Sequence, residues 1–284
     1  MAIEVYFYGR LRDIYGDRDV FDYSNISLDE LINILGLEDR YVRIFIDGSE
    51  VRRSKGGDLN IFPSQSIAII SEYKDDPLRN IAEYYKIFRG RIEARIKSFL
   101  NVSRCGYERI FMELLFTICT PQSNPVKCWD SVKRIYLSGM FNKPDISRIR
   151  SLLKGVRFPN NKARYLYRAI KMYLRGELDI GSILEGDIYF VRDRLSNLVM
   201  GIGYKEASHF LRNIGYTFNI AILDRHILRW MNRLNLIGEI PRNISKGRYI
   251  LLEDRFIWLS KYIGLKPAEL DLLLWGIETG YIFK

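Results

Sequence analysis

A lysine and an aspartate frame the stretch of this chain best suited to chemistry. Lys205 stands two residues beyond the second glycine of Gly201-Ile202-Gly203, and Asp224 follows nineteen residues later. Directly after Asp224, Ile227, Leu228, Met231 and Leu234 recur at helical spacing. A lysine at the opening turn of a helix sits where the dipole disfavours a cation, and a neutral amine is a nucleophile. Asp224 has an ordinary role available as the N-cap of the helix that follows it. Capping and catalysis are compatible, because a capping carboxylate is held rigidly.

The elements around this pair read as helix, hairpin, helix. Ile188, Val191, Leu195 and Leu198 form one apolar stripe that stops at Gly201, the residue type that closes helices without a Cβ clash. A second helix is expected to start near Tyr204. Gly201 and Gly203 leave the turn bare, so its backbone N–H groups can approach a phosphate, and the next helix adds the positive end of its dipole. On its own a Gly-x-Gly is equally an ordinary tight turn between helices.

Other candidates lie on either side. Glu108 to Thr120 is apolar almost all round and predicts a buried helix. The loop Thr120-Pro121-Gln122-Ser123 follows, with Pro125 at the first turn of the next helix. Gln122 is either a solvated loop amide or a reader of base edges. Further on, Asn160 or Asn161 is expected to cap a helix through Tyr165, Leu166, Ala169, Ile170 and Tyr173. Arg157, Lys162 and Arg164 are either phosphate contacts or solvated side chains. Phe158 is either an aromatic wedge or, as we expect, a buried residue. The last two apolar runs centre on Ile257 and Leu273, and helical spacing alone makes Trp275 a core residue.

With 284 residues the chain suggests about two domains, and charge divides it. Residues 1–76 hold 9 Lys+Arg against 15 Asp+Glu, whereas residues 77–284 hold 35 against 19. A net charge of −6 is unsuited to a polyanion, and +16 suits one. Cys105, Cys119 and Cys128 make no Cys-x-x-Cys pair, and with only two histidines no metal site, disulfide framework or cofactor is expected. They read as small core residues. No apolar run is long enough to span a bilayer, and residues 1–9 alternate instead of forming a signal sequence. A soluble protein without membrane contact, retained inside the cell with the nucleoid, is therefore expected.

The acidic part reads as a β-grasp. Ile3 to Gly9 alternates like a strand, Gly16-Asp17 offers a turn, and Asp19 to Tyr23 returns. Ser27 then caps a helix carrying Leu28, Leu31, Ile32 and Leu35, with Glu30 completing a capping box and Gly36 ending it. Asp47-Gly48 turns a second hairpin, and Ser66 to Ser71 is a last strand. Val5-Tyr6-Phe7-Tyr8-Gly9-Arg10-Leu11-Arg12 and the Ile46-Asp47-Gly48 turn resemble the ubiquitin-like sulfur carriers similar to the small subunit of molybdopterin synthase. Those carriers end in a free diglycine. Here the last strand runs on into Ser71-Glu72-Tyr73-Lys74-Asp75-Asp76-Pro77, so carrier chemistry is not expected, and the module is assigned to docking, within the chain or to a protein partner, or to regulation.

Three motifs of the basic part occur together: Gly201 to His209, Ala221 to Arg229, and Trp275 to Lys284. In that order they resemble the archaeal-type 8-oxoguanine DNA glycosylase/AP lyases of the helix-hairpin-helix superfamily, over roughly residues 104–284. Together the two readings give an α+β chain: a β-grasp domain over 1–76 and an all-α helix-hairpin-helix glycosylase domain over 77–284. The glycosylase resemblance implies damaged double-stranded DNA as partner, Lys205 as the Schiff-base lysine and Asp224 as the catalytic carboxylate. Gln122, Trp275 and the terminal carboxylate at Lys284 would recognise the extruded base, while Gly201, Gly203, Arg157 and Lys162 would hold the DNA backbone. Relatives similar to endonuclease III carry a four-cysteine iron–sulfur cluster, which this chain cannot build. Two rivals keep the same residues: a glycosylase for another damaged base, and a helix-hairpin-helix protein that binds DNA without cutting it.

Overall fold

The computed structural model describes residues 2–37, 42–51, 59–73 and 76–283. Lys284, Asp75 of the polar boundary and Arg52 and Arg53 of the second hairpin lie outside them. The chain is α+β, and its residues fall into two compact units. The first comprises 1–93, 230–237 and 272–282; the second comprises 94–229, 238–271 and 283–284.

The first unit is built on a mixed sheet. Its elements begin with β1 (Ile3–Gly9), α1 (Arg12–Tyr15), β2 (Arg18–Phe21), β3 (Ile26–Ser27) and α2 (Leu28–Ile34). They continue with β4 (Arg43–Ile46), β5 (Ser49–Val51), β6 (Asn60–Ile61) and β7 (Ile67–Ser71). Five strands pair in the order β2-β1-β7-β4-β5, with β1 and β7 parallel at the centre and hairpins on both sides. A separate two-stranded pair, β3 with β6, was not anticipated from the sequence. Alternation along β1 decides which face is buried: Ile3, Val5 and Phe7 point into a core shared with Leu28, Leu31 and Ile32 of α2.

Local signals shape the details. Ser27 Oγ accepts from Glu30 N at 3.1 Å and Glu30 Oε2 accepts from Ser27 N at 3.1 Å, the reciprocal capping box. Asp47 and Gly48 both take positive φ, 50° and 67°, between the paired residues Ile46 and Ser49, which makes a two-residue hairpin turn. The first hairpin departs from a simple turn, since the one-turn helix α1 intervenes before Gly16.

Long helix α3 (Pro77–Val102) opens the helical part of the chain, followed by α4 (Tyr107–Cys119), α5 (Pro125–Leu137), α6 (Ile146–Leu152) and α7 (Pro159–Leu174). Then come α8 (Ile180–Ile183), α9 (Ile188–Leu198), α10 (Tyr204–Asn213), α11 (Arg225–Arg233), α12 (Lys246–Ile263) and α13 (Pro267–Thr279). Within the second unit α4 is the central element. Its residues from Ile110 to Cys119 are all buried, and they join a core with Val132, Leu166, Ile170, Val191, Leu195, Phe210 and Leu211. Pro125 opens α5 behind Asn124, whose side chain accepts from Lys127 N. Cys119 and Cys128 are buried, but Cys105 is exposed just ahead of α4, contrary to the expectation of three core thiols.

Among the described residues no helix is long and apolar enough to cross a membrane.

Candidate active site

The hairpin between α9 and α10 forms as its residues require. Val191 and Leu195 bury the inner face of α9, and Ile202 is buried between two exposed glycines, pinning the turn to the core. Gly201 has φ +87°, and a Cβ there would lie 2.6 Å from the Tyr165 ring, so both conformation and space demand glycine. Gly203 N donates to Glu206 Oε2 at 3.2 Å, and α10 starts at Tyr204.

Lys205 is therefore the second residue of α10. Its side chain is 27% exposed, and Nζ lies 2.8 Å from Glu206 Oε1. Asp224 caps α11: Oδ1 accepts from His226 N at 2.8 Å and Ile227 N at 2.9 Å. Both side chains are thus fixed at helix N-termini, one as a partly exposed amine and one as a rigid carboxylate.

What holds Asp224 comes from elsewhere in the chain. Residues Ile220 to Leu223 are buried without regular structure, so their backbone groups need side-chain partners. Glu253 Oε1 accepts from Ala221 N at 3.0 Å, Tyr249 Oη donates to Ala221 O at 2.8 Å, and Leu223 N donates to Tyr249 Oη at 3.3 Å. Glu253 is in turn gripped by the fully buried Arg192, through Nη1 at 2.9 Å and Nη2 at 2.8 Å, and Arg192 also donates to Ser208 Oγ on α10. One arginine on α9 thereby ties α10, α12 and the approach to Asp224 together.

A second ionic group extends from α10. Arg212, seven residues after Lys205 and on the same helix face, pairs with the buried Asp271 and donates to Asn213 Oδ1. Asn213 donates to Glu113 Oε2 at 3.2 Å, and Arg109 closes the chain at 2.7 Å from Glu113. Burial pushes the Asp271 carboxyl up, and Asp224 adds to this, while Arg212 and Lys205 pull it down. Burial likewise lowers the Arg212 guanidinium, against the opposing pull of Asp271 and Asp224. Lys205 and Asp224 thus both act on the Asp271 carboxyl, with opposite signs.

Lys162 departs from expectation. It is 4% exposed, and its ammonium donates to Cys119 O at 2.6 Å, Pro121 O at 2.8 Å and Ser123 Oγ at 2.9 Å. With all three protons used, it tethers the loop after α4 instead of meeting a phosphate. Burial lowers its basicity, and the charges of Lys205 and Arg157 contribute, which brings the tethered loop into the neighbourhood of Lys205. Ser123 Oγ also accepts from Arg157 N at 2.9 Å, and the Arg157 side chain is exposed.

Gln122 is the tip of this loop. Ser123 N donates to Thr120 O at 3.0 Å, Pro121 occupies the second turn position, and Gln122 takes φ +56° at the third with its side chain exposed. Phe158 also departs from expectation, being 51% exposed at φ +56° as the N-cap of α7. Pro159 is the first helical residue, which puts Asn160 and Asn161 inside the first turn and not at the cap. Trp275 belongs to the first unit. It is half-buried and meets Tyr281 edge to face, with ring centroids 5.1 Å apart.

Arg192, Glu253, Tyr249, Arg212 and Asp271 were not singled out from sequence. A signal was present for Glu253, which falls on the buried stripe of Tyr249, Leu252, Phe256 and Leu259, a place for a charge only if it is paired.

The family profile for 8-oxoguanine DNA glycosylase matches residues 92–265. The chain belongs to the 8-oxoguanine DNA glycosylase family. Within that family it is 33% identical over 219 residues to the 8-oxoguanine DNA glycosylase/AP lyase of Fusobacterium nucleatum, covering 74% of this chain and 99% of the relative. With the corresponding protein of Sulfolobus acidocaldarius the identity is 35%, covering 69% and 95%. Among solved members, the Methanocaldococcus jannaschii 8-oxoguanine glycosylase/lyase in complex with a 15mer DNA containing 8-oxoguanine aligns with a TM-score of 0.66 and 32% identity, covering 73% of this chain and 99% of that one.

Proposed function

We propose that this chain is a bifunctional DNA repair enzyme that excises 8-oxoguanine and then cleaves the abasic site. The glycosidic bond is out of reach inside a duplex, so the damaged nucleotide must be flipped out. Lys205 attacks the anomeric carbon as a neutral amine, the base leaves with the bonding pair, and the Asp224 carboxylate afterwards accepts the proton that the alkylated nitrogen sheds. The same carboxylate balances positive charge on the sugar during the attack. The nitrogen–carbon bond becomes a Schiff base as the bond from that carbon to the ring oxygen breaks, and β-elimination breaks the strand on the 3′ side. No cofactor enters this sequence of steps.

Other residues divide the binding work. The exposed hairpin of Gly201 and Gly203 lets a phosphate approach the N-terminus of α10 closely, and the exposed Arg157 adds a charge contact. Gln122 and Trp275 read and stack on the extruded base. Residues 77–284 carry these functions, and residues 1–76 form a β-grasp module. What supports this function best is the placement of Lys205: a partly exposed amine in the first turn after an exposed glycine hairpin.

Borohydride reduction during reaction with 8-oxoguanine duplex tests it. The wild-type chain should be trapped on DNA, and Lys205→Gln should bind the duplex without being trapped. A panel of duplexes carrying deaminated, alkylated and oxidised bases should show selective release of 8-oxoguanine. An undiminished adduct in Lys205→Gln removes the nucleophile assignment, and preferred release of another base reassigns the substrate.

A further inference from the structure

The acidic N-terminal module supplies none of the residues assigned to the chemistry, yet its edge is bonded to a distant part of the chain. All of the groups concerned lie in the first compact unit. Arg43 on β4 is 13% exposed and makes a two-pronged bond to Glu50 on β5, with Nε to Oε1 at 2.8 Å and Nη2 to Oε2 at 2.9 Å. That local pairing fixes the plane of the guanidinium. Its remaining donors then reach outward, Nη1 to Tyr84 Oη at 2.8 Å and Nη2 to the carbonyl of Ile277 at 2.5 Å.

A second bond comes from the backbone. Strand β5 lies at the sheet edge, where unpaired N–H groups face outward, and Glu50 N donates to the carbonyl of Gly280 at 2.7 Å. Gly280 has φ +83°, and a Cβ there would stand 2.5 Å from Glu50 Oε2 and 2.6 Å from Glu50 Cβ. Only glycine permits this approach. The carbonyls of Ile277 and Gly280 flank the turn that ends α13, and Thr279 Oγ1 bonds Trp275 O at 2.9 Å and Tyr281 O at 3.2 Å within it. Trp275 and Tyr281 are the two aromatic rings of that turn, in contact edge to face.

We infer that Arg43 and Glu50 are positioning residues for recognition of the damaged base, because they fasten the turn that carries Trp275. This rests on the assignment of Trp275 as the base platform. The sheet module then contributes to excision without touching DNA. Its acidic character is compatible with that role, since it grips protein carbonyls and not phosphates. Cleavage of a pre-formed abasic site, which offers no base to stack, should be indifferent to it.

The experiment compares two single-turnover rates in the full-length chain: excision from an 8-oxoguanine duplex and strand cleavage at an abasic site. Arg43→Met removes both outward donors, and Gly280→Ala drives a Cβ against Glu50 and so displaces the turn from the fork while keeping both fork residues. Each should lower excision at least about tenfold, the scale of a lost bond to a charged group, with abasic cleavage nearly unchanged. Arg43→Lys, which retains the charge but not the planar fork, should fall between Arg43→Met and wild type. Trp275→Ala is the reference for base recognition. If Trp275→Ala loses excision while neither turn variant shifts the ratio of the two rates, the positioning role is overturned and the platform assignment stands. If Trp275→Ala keeps full excision, the platform assignment falls and the inference falls with it. Equal loss on both substrates, with a lowered melting temperature, makes Arg43 a general stabiliser and also overturns the inference.

Discussion

Each compact unit contains an arginine–glutamate fork that secures a segment from far along the chain, and the two forks are engineered by the fold in opposite ways. In the first unit the pair itself is local, with Arg43 and Glu50 seven residues apart across a hairpin, and the arginine does the reaching. In the second unit the pair is long-range, with Arg192 and Glu253 61 residues apart, and the glutamate does the reaching, to Ala221 N. Exposure follows the same division. Arg43 and Glu50 are 13% and 20% exposed, against 0% and 4% for Arg192 and Glu253. A fork with some access to water can be disturbed and partly resolvated. A dry one cannot, because losing one partner strands the other as a buried charge.

The strongest way to break the comparison is Glu253→Gln. It leaves Arg192 buried without a carboxylate and should cost about 3–5 kcal/mol of unfolding free energy in a urea titration. Abasic cleavage and excision should fall together in this variant, unlike the split expected at Arg43. A melting temperature equal to wild type would show that the dry fork is dispensable.

Replacing both partners sharpens the contrast. Arg192→Met with Glu253→Leu should recover most of that stability, since an apolar pair of similar volume often matches a buried ion pair. Activity should stay low, because Ala221 N loses its acceptor and the approach to Asp224 loosens. Full recovery of both would separate the fork from the site.

The smallest change in stability should come from Asp224→Asn, which keeps an N-cap of comparable strength and should shift unfolding by no more than about 0.5 kcal/mol. Base excision should nevertheless drop by orders of magnitude. Retained excision would make Asp224 a cap and nothing more.

The same two forks explain what could be read from sequence. Features whose partners lie within four residues were legible: the Ser27–Glu30 box, the Asp47-Gly48 turn, Pro125 behind its cap, and Asp224 bonding the amides of His226 and Ile227. Each is decided by backbone geometry that residue type alone dictates. Bonds between remote residues were not legible. Lys162 looks like a surface cation in a basic stretch, and only folding reveals that three acceptors from residues 119–123 surround its ammonium. Phe158 failed for a related reason: hydrophobicity argued burial, but Pro159 opens the helix and leaves Phe158 outside it at positive φ. The outward reach of Arg43 spans 234 residues, beyond any local pattern.

That span has a consequence in time. A ribosome adds about 5–20 residues per second, so the carbonyl of Ile277 follows Arg43 out by roughly 10–50 s. Strands β1 to β7 can pair as soon as they emerge, which leaves the β5 edge and the third prong of Arg43 waiting until residues 277–280 follow. An open strand edge is a template for pairing with other chains. The stretch up to Gly280 is what closes it, so nascent chains stalled before Gly280 should be more prone to self-association than chains that include it.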